Sequence, residues 1–311
     1  MVANETAGDP MGEQKWVRSS LRSLSQRLGD ARHPASPPTV GRLLKDLGYS
    51  LKANVKKKAG KEHPDRDKQF QYIEAQIEAF RAAGWPIISV DTKKKELIGN
   101  FKNDGQAWCQ EAEYVNVHDF LQDAVGRAVP YGIYDMIHNR GHVYVGTSAD
   151  TPQFAVDAIA AWWQNEGSDA FPQNSPLLIL ADAGGSNGYR PRAWKQQLQE
   201  QLSDQFGLVT TICHYPTGCS KWNPVDHRLF SYISINWAGK PLRTFDTMLG
   251  YIRGTTTTTG LTVKAFLLEG VYETGRRVSD AEMEKLNLER HEVCPNWNYT
   301  MRPLSDSAPD T

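Results

Sequence analysis

The chain has 311 residues, of which 40% are hydrophobic and 23% charged, with a formal net charge of −1. That is too long for one ordinary domain and apolar enough for a sizeable core. No run of 18 apolar residues reads as a membrane span, no charged and then apolar leader opens the chain, and Cys109, Cys213, Cys219 and Cys294 show neither paired nor zinc-type spacing. The composition therefore predicts a soluble, cytoplasmic protein with free thiols and without a disulfide framework or a structural zinc.

The near-neutral total hides an asymmetry. Residues 1–61 carry twelve Lys or Arg against five Asp or Glu, a surplus of seven, so the remaining 250 residues are net −8. A basic segment joined to a body of opposite charge suits a nucleic-acid-binding piece attached to a part with another task. Within it, Gln14 to Leu28 places Val17, Leu21, Leu24 and Leu28 at helical spacing among Arg18, Arg22 and Arg27. Ser-Pro-Pro at 36–38 suits a helix start, and Thr39 to Leu47 then reads as a second short helix closed by Gly48. Two helices, a turn and the basic run YSLKANVKKK (49–58) predict a helix-turn-helix or winged-helix segment over residues 1–65. In that geometry Thr39, Arg42 and Lys45 face DNA and Lys56, Lys57 and Lys58 meet phosphates. The plainer alternative is a helical appendage with a basic surface.

His63 to Arg66 breaks the chain, and Asp67 to Ala83 is a periodic helix with Phe70, Ile73, Ile77 and Phe80 on one face, connecting the two parts over residues 66–84. Pro86 to Val90 is a short apolar strand that stops at Asp91. After Lys93 to Lys95, Glu96 to Phe101 reads as a strand returning antiparallel beside the first. A polar insertion, Lys102 to Val129, precedes two further strands, YGIYDMI and HVYVGTS, with Asn139 to Gly141 as the hairpin loop. Phe154 to Trp163 is helical.

The run LLILADAGGSNGYR (177–190) follows: five apolar residues, too few for a buried helix, ending at Asp182 with two glycines behind it. An acid at the C-terminal end of a strand in an open α/β sheet stands where ligands bind. It can equally cap the next turn. A helix over Arg192 to Phe206 and a strand near Leu208 to Cys213 complete an order of antiparallel strands followed by βαβ crossovers. That order predicts a ribonuclease H-like mixed α/β sheet flanked by helices, occupying residues 85–244, with a C-terminal extension over 245–311 whose tail beyond Pro303 is expected to be disordered.

Asn223-Pro224 begins one more helix, with Leu229, Phe230 and Ile233 toward the sheet and Asp226 in its first turn. There a carboxylate either serves the helix dipole or joins the two strand-terminal acids. Three converging carboxylates raise one another's pKa unless cations neutralise them. Two Mg²⁺ ions, with Mn²⁺ as substitute, are the expected solution, about 3.5–4 Å apart in such sites and suited to in-line displacement at phosphorus. Nuclease or strand-transfer chemistry follows. Lys93, Lys94 and Lys95 either contact the scissile strand or form a solvated face. Asn187 and Tyr189 are further candidates for DNA contact. His214 and His227 flank the third acid as supporting or structural histidines.

The runs ISVDTKKKELIGNF (88–101), VPYGIYD (129–135), ADAGGSNGYR (181–190), SKWNPVDHRLFSYISINW (220–237) and WNYT (297–300) resemble bacterial insertion-sequence transposases of the Rhodopirellula-type DDE family, distantly similar to the mariner group. The resemblance covers about residues 10 to 303. It implies an RNase H-like core, catalytic and metal-binding acids at Asp91, Asp182 and Asp226, divalent metal dependence, DNA transposition, and a homodimer on DNA acting on terminal inverted repeats and target DNA near the nucleoid. Asp226 stands where the family usually has glutamate, and the family's further upstream helix-turn-helix segment is missing, which reads as a truncated copy. Two alternatives stay open: a structure-specific nuclease on the same fold, and a degenerate copy that binds DNA without cutting it.

Overall fold

The computed structural model describes residues 19–51 and 63–304, together with the backbone of 6–8 and 15–17. The chain forms two compact units, residues 1–59 and 60–311. Among the described residues no helix is long and apolar enough to cross a membrane.

In the first unit β1 (Thr6–Gly8) pairs antiparallel with β2 (Lys15–Val17), and two helices follow, α1 (Leu21–Asp30) and α2 (Pro37–Asp46). The helix expected from Gln14 therefore begins seven residues later. Residues 15–17 are claimed by strand pairing, and Ser20 caps the helix by accepting from the Ser23 amide at 3.1 Å. Ser36 caps α2 in the same way, ahead of Pro37 and Pro38. Leu24 and Val40 are the buried side chains of the two helices. Lys56, Lys57 and Lys58 lie outside the described residues.

The second unit opens with α3 (Arg66–Ala83) and β3 (Ile87–Thr92), then β4 (Glu96–Ile98), β5 (Gly126–Asp135) and β6 (Arg140–Gly146). Helix α4 (Pro152–Trp162) runs through a π-helical turn into the short α5 (Ser168–Ala170) and leads to β7 (Leu177–Ala181). Helix α6 (Arg192–Leu198), extended by a π-helical stretch to Asp204, precedes β8 (Thr210–His214). A π-helical turn, Asp226–Phe230, feeds α7 (Ser231–Asn236), and the chain ends with α8 (Phe245–Arg253), β9 (Thr262–Leu268), α9 (Asp280–Glu284), β10 (Leu288–Arg290) and β11 (Asn298–Met301).

These strands form one mixed sheet in the order β10-β11-β8-β7-β3-β5-β6-β9. Its middle, β6-β5-β3-β7-β8, has β5 antiparallel to both neighbours and β3, β7 and β8 mutually parallel. That is the ribonuclease H-like arrangement, with helices on both faces. All five residues of β7 are fully buried, as a strand covered on both faces requires. Full burial of each leucine or isoleucine in it stabilises the unit by roughly 1.5–3 kcal/mol. On one face Phe154, Trp162, Trp194 and Leu198 pack over Val90, Ile179 and Ala181. On the other, α3 covers Ile87, Leu178 and Leu180, while Val225, Leu229, Phe230 and Ile233 cover Tyr134 and Val143.

One expectation is corrected. Glu96 to Ile98 does not lie beside β3; it pairs with β5, Leu97 opposite Arg127, because β5 already occupies that edge of β3. The C-terminal extension after residue 244 adds strands to both sides of the sheet: β9 pairs parallel with β6, and β11 pairs with β8. Residues 305–311 lie outside the described residues.

Candidate active site

The register of two parallel strands builds the centre of the site. Val90 pairs with Ala181, so Asp91 and Asp182 are the next residues on adjacent strands, at the same C-terminal edge. Neighbouring strands are about 4.8 Å apart, and the period of two sends both side chains to the face opposite Val90 and Ala181. That face is covered by the turn leading to Asp226. Asn223, fully buried, donates from Nδ2 to Asp182 Oδ1 at 3.0 Å and to the Val90 carbonyl at 3.2 Å, and its Oδ1 accepts a short hydrogen bond from Ser89 Oγ. Ser89 Oγ in turn accepts from the Val225 amide at 2.9 Å. One amide thus links the strand of Asp91, the carboxylate of Asp182 and the helix of Asp226.

The helix can approach so closely because Gly132 lies opposite Asp91. A Cβ at Gly132 would stand 2.5 Å from Phe230 Cζ and 3.2 Å from Val225 Cγ2. Beyond Asp182 the chain turns through Gly185 with φ at +75°, a conformation that favours glycine.

A second framework holds Asp182 from behind. His214 is fully buried, and burial lowers its pKa to about 3, so the ring is neutral. Its Nδ1 lies 3.0 Å from the Asp182 carbonyl, an acceptor only, so Nδ1 carries the proton and Nε2 accepts from the Tyr299 hydroxyl at 3.1 Å. Trp194 Nε1 donates to that hydroxyl at 2.9 Å. His214 is therefore a structural histidine that fixes the backbone of the acid.

Asp91 and Asp182 line a cavity of about 490 Å³ with Thr92, the lysines at 93–95, Gly184, Gly185 and a carboxylate that sequence reasoning missed, Asp150. The string Ala149-Asp150-Thr151-Pro152 reads only as a helix start, and Thr151 indeed caps α4. Asp150 accepts from Thr92 Oγ1 at 3.1 Å and pairs with Lys95 at 3.6 Å. Asp91 accepts from the Thr92 amide at 2.8 Å, yet its pKa rises from 3.8 to about 8, through burial first and then the charges of Asp182, Asp226 and Asp150. Asp182 rises to about 6, through burial and then Asp226, against the lowering effect of Asn223. Asp226 is raised by burial and lowered by His227.

Among the described residues no ion pair reaches Asp91, Asp182 or Asp226, and the Asp226 carboxylate accepts no hydrogen bond. Lys93 does not neutralise the cluster: its side chain is 10% exposed, bonds Glu96 at 3.0 Å and lies 4.6 Å from the Trp237 ring centre. Lys94 is 75% exposed, 3.8 Å from Asp104. Hard carboxylate oxygens that hold one another's pKa up suit a divalent cation. Among the described residues no three His, Cys, Asp or Glu side chains are gathered closely enough to form a ready ligand set. Mg²⁺ needs only one or two carboxylates besides water and substrate oxygens, so the donor set still fits.

Of the expected DNA contacts in the first unit, Arg42 and Lys45 are exposed on α2 and Thr39 is half-buried, its hydroxyl 2.9 Å from that of Ser36. Asn187 is fully buried and does not face solvent, and among the described residues neither of its side-chain polar atoms has a partner.

A family model described as the Rhodopirellula transposase DDE domain matches residues 1–303. No curated protein matches the chain. Among solved structures, the chain resembles the Mos1 transposase paired-end complex with left transposon end, at 10% identity and TM-score 0.42, covering 79% of this chain and 73% of that one. It resembles the Mos1 Strand Transfer Complex at 10% identity and TM-score 0.44, covering 79% and 72%, and the mariner Mos1 paired end complex with Mg at 12% and 0.42, covering 79% and 74%.

Proposed function

The chain belongs to the Rhodopirellula transposase DDE family, and from that premise we propose that it is a metal-dependent DNA transposase that cleaves element ends and joins them to target DNA. The observation that carries this reading is the pairing of Asp91 and Asp182 at adjacent parallel strand ends, within electrostatic reach of Asp226 and without a cationic partner. Asp91, Asp182 and Asp226 would hold two divalent ions, Mg²⁺ or Mn²⁺, which when bound supply an activated nucleophile and stabilise the leaving oxygen at phosphorus.

The chain's own residues orient the reaction. Asn223 fixes one oxygen of Asp182, the Thr92 amide fixes one of Asp91, and the glycines at 184 and 185 leave room for a sugar-phosphate strand. Lys94 and Lys95 face the same cavity and favour phosphate. In cleavage, water adds to phosphorus as the bond to the 3′ oxygen breaks. In joining, the freed 3′-hydroxyl adds to a target phosphorus and displaces the target's 3′ oxygen, so each phosphodiester broken is balanced by one P–O bond formed. Thr39, Arg42 and Lys45, with Lys56, Lys57 and Lys58, contact the element ends, and two copies of the chain pair them. Such a protein works in the cytoplasm at the nucleoid.

The test is a strand-transfer assay on the inverted repeats that bracket the reading frame, with Mg²⁺ or Mn²⁺. Nicked and joined products are expected, and both should vanish in Asp182→Asn and Asp226→Asn while DNA binding persists. Hydrolysis without joining would make the chain a nuclease. Binding without either reaction would make it a degenerate copy, and wild-type cleavage by Asp226→Asn would remove that residue from the site.

A further inference from the structure

The loop that leaves Asp182 ends at a second charged cavity, and its sign is opposite. A pocket of about 430 Å³ is lined by Arg190, Arg192, Lys195 and Arg290, with Tyr189, Met283 and Asn296 between them and no carboxylate. Among the described residues only one of the four cations has an acid: Arg192 meets Asp280 at 2.6 Å. Arg190 donates to the Tyr189 hydroxyl at 3.0 Å, and Arg290 to the Pro295 carbonyl at 2.9 Å. Lys195 is the telling member. Only 5% exposed, it makes one short hydrogen bond, to the Tyr189 carbonyl, and its Nζ stands 5.4 Å from the Tyr299 ring centre. An ammonium buried beside guanidinium groups without an anion is costly, and burial, then Arg290 and Arg192, pull its pKa down to about 8.

A fold retains such an arrangement at a disadvantage unless an anion completes it. We propose that this pocket binds a backbone phosphate of the DNA strand that leads away from the carboxylate edge. The inference rests on the transposase reading for the identity of the polyanion. Two connections tie the pocket to the acids. Residues 183–189 join Asp182 to Arg190 directly, a path of at most about 29 Å even if fully extended. Trp194, beside Lys195, begins the hydrogen-bonded series through Tyr299 and His214 to the Asp182 carbonyl. A phosphate seated here therefore fixes the strand relative to the acids within a few nucleotides of the reacting one.

The experiment measures binding of the full chain to a short mixed-sequence duplex without divalent metal, by fluorescence anisotropy over a range of salt. Each phosphate contact contributes about 0.9 to the slope of log K against log salt, so Arg290→Gln and Lys195→Met should each lower the slope by about that amount and weaken binding about tenfold. Arg290 is exposed, so its variant retains the fold if Lys195→Met does not. A wild-type slope and affinity in Arg290→Gln would overturn the proposal. Inorganic phosphate, added alone and followed by thermal unfolding, separates the sources. Stabilisation of the wild type and not of Arg290→Gln, together with an unchanged DNA slope, would assign the pocket to free phosphate and also overturn it. A lowered slope in a chain that neither cleaves nor joins DNA would uphold the pocket and sink the transposase reading instead.

Discussion

The carboxylate edge and the basic pocket are the two ends of one loop, and among the described residues each leaves most of its like charges without an ion pair. They differ in how they are built. Asp91 and Asp182 sit on neighbouring strands of the most deeply buried part of the sheet, so register alone brings them together. Arg190, Arg192, Lys195 and Arg290 come from a loop, a helix and a strand one hundred residues further on, and only the closed fold gathers them. The acids are also held from three sides, by Asn223, the Thr92 amide and His214, whereas three of the four cations rest on a single neutral acceptor each. A rigid site suits chemistry, which needs positions kept to about 0.5 Å. A looser one suits a backbone that must enter and leave.

That contrast is most directly broken at Asn223. Asn223→Ala removes the links to Asp182, Val90 and Ser89 together and should lower cleavage about 100-fold at saturating DNA, the usual result of a misplacement of about 1 Å. Stability should fall by about 1–3 kcal/mol as Ser89 and Val90 lose a buried partner. Asn223→Asp keeps the shape but turns the donor facing Asp182 into another carboxylate, so its loss should exceed that of alanine. The Kd for DNA should stay at the wild-type value in both. A parallel fall in DNA affinity would mean that acids and pocket are not separate.

Gly132→Ala is the next test, because it reaches Asp226 without touching a charge. The new methyl overlaps the buried Phe230 ring and presses on Val225. The helix must then retreat, at a cost of about 1–3 kcal/mol. Cleavage should drop roughly tenfold if Asp226 acts from its present position, since tenfold corresponds to about 1.4 kcal/mol in the barrier. A lowered melting temperature with unchanged cleavage would count against Asp226 as a partner of Asp91 and Asp182.

The same contrast explains what could be read from sequence. Apolar runs that stop at Asp91 and Asp182 are local signals, and β7 has the limits that its composition suggests, Leu177 to Ala181. Features set by distant pairing were not legible. Glu96 to Ile98 looked like the return strand of a hairpin, but its partner, 126–128, lies beyond a long insertion. Asn223 reads as a helix start, and nothing in its neighbourhood announces bonds to Ser89 or Asp182, more than forty residues away in either case. Asp150 is likewise disguised by the cap that follows it. Lys195 falls within an expected helix whose apolar spacing says nothing about a lysine turned inward, and Arg290 lies in a stretch that offered no motif at all. Lys93, first of a triple-lysine run that suggests solvent or phosphate, lines the cavity of Asp91 and Asp182 while it bonds Glu96 and lies beside Trp237, contacts that the run does not announce.

The smallest expected effect lies in the pH dependence of stability, where the two clusters act with opposite sign. In metal-free protein Asp91 and Asp182 are raised from 3.8 to about 8 and about 6. The folded state then binds their protons more tightly than the unfolded state. Their stabilising contribution is complete below pH about 4 and is lost as pH rises through about 6 and then about 8. Lys195 is lowered from 10.5 to about 8, so the unfolded state binds its proton more tightly. Its contribution is complete above the unfolded value and is lost as pH falls through the folded one. The melting temperature of metal-free protein should therefore fall toward pH about 8 from the acid side and rise beyond it. Asp91→Asn should flatten the descending limb and leave the ascending one; Lys195→Met should do the reverse. Saturating Mg²⁺ or Mn²⁺ should flatten only the first, because a cation at the acids takes the place of their protons. Loss of both limbs in either variant would show that the acids and the pocket titrate as one coupled cluster, and the separation between a site for chemistry and a site for the strand would fail at that point.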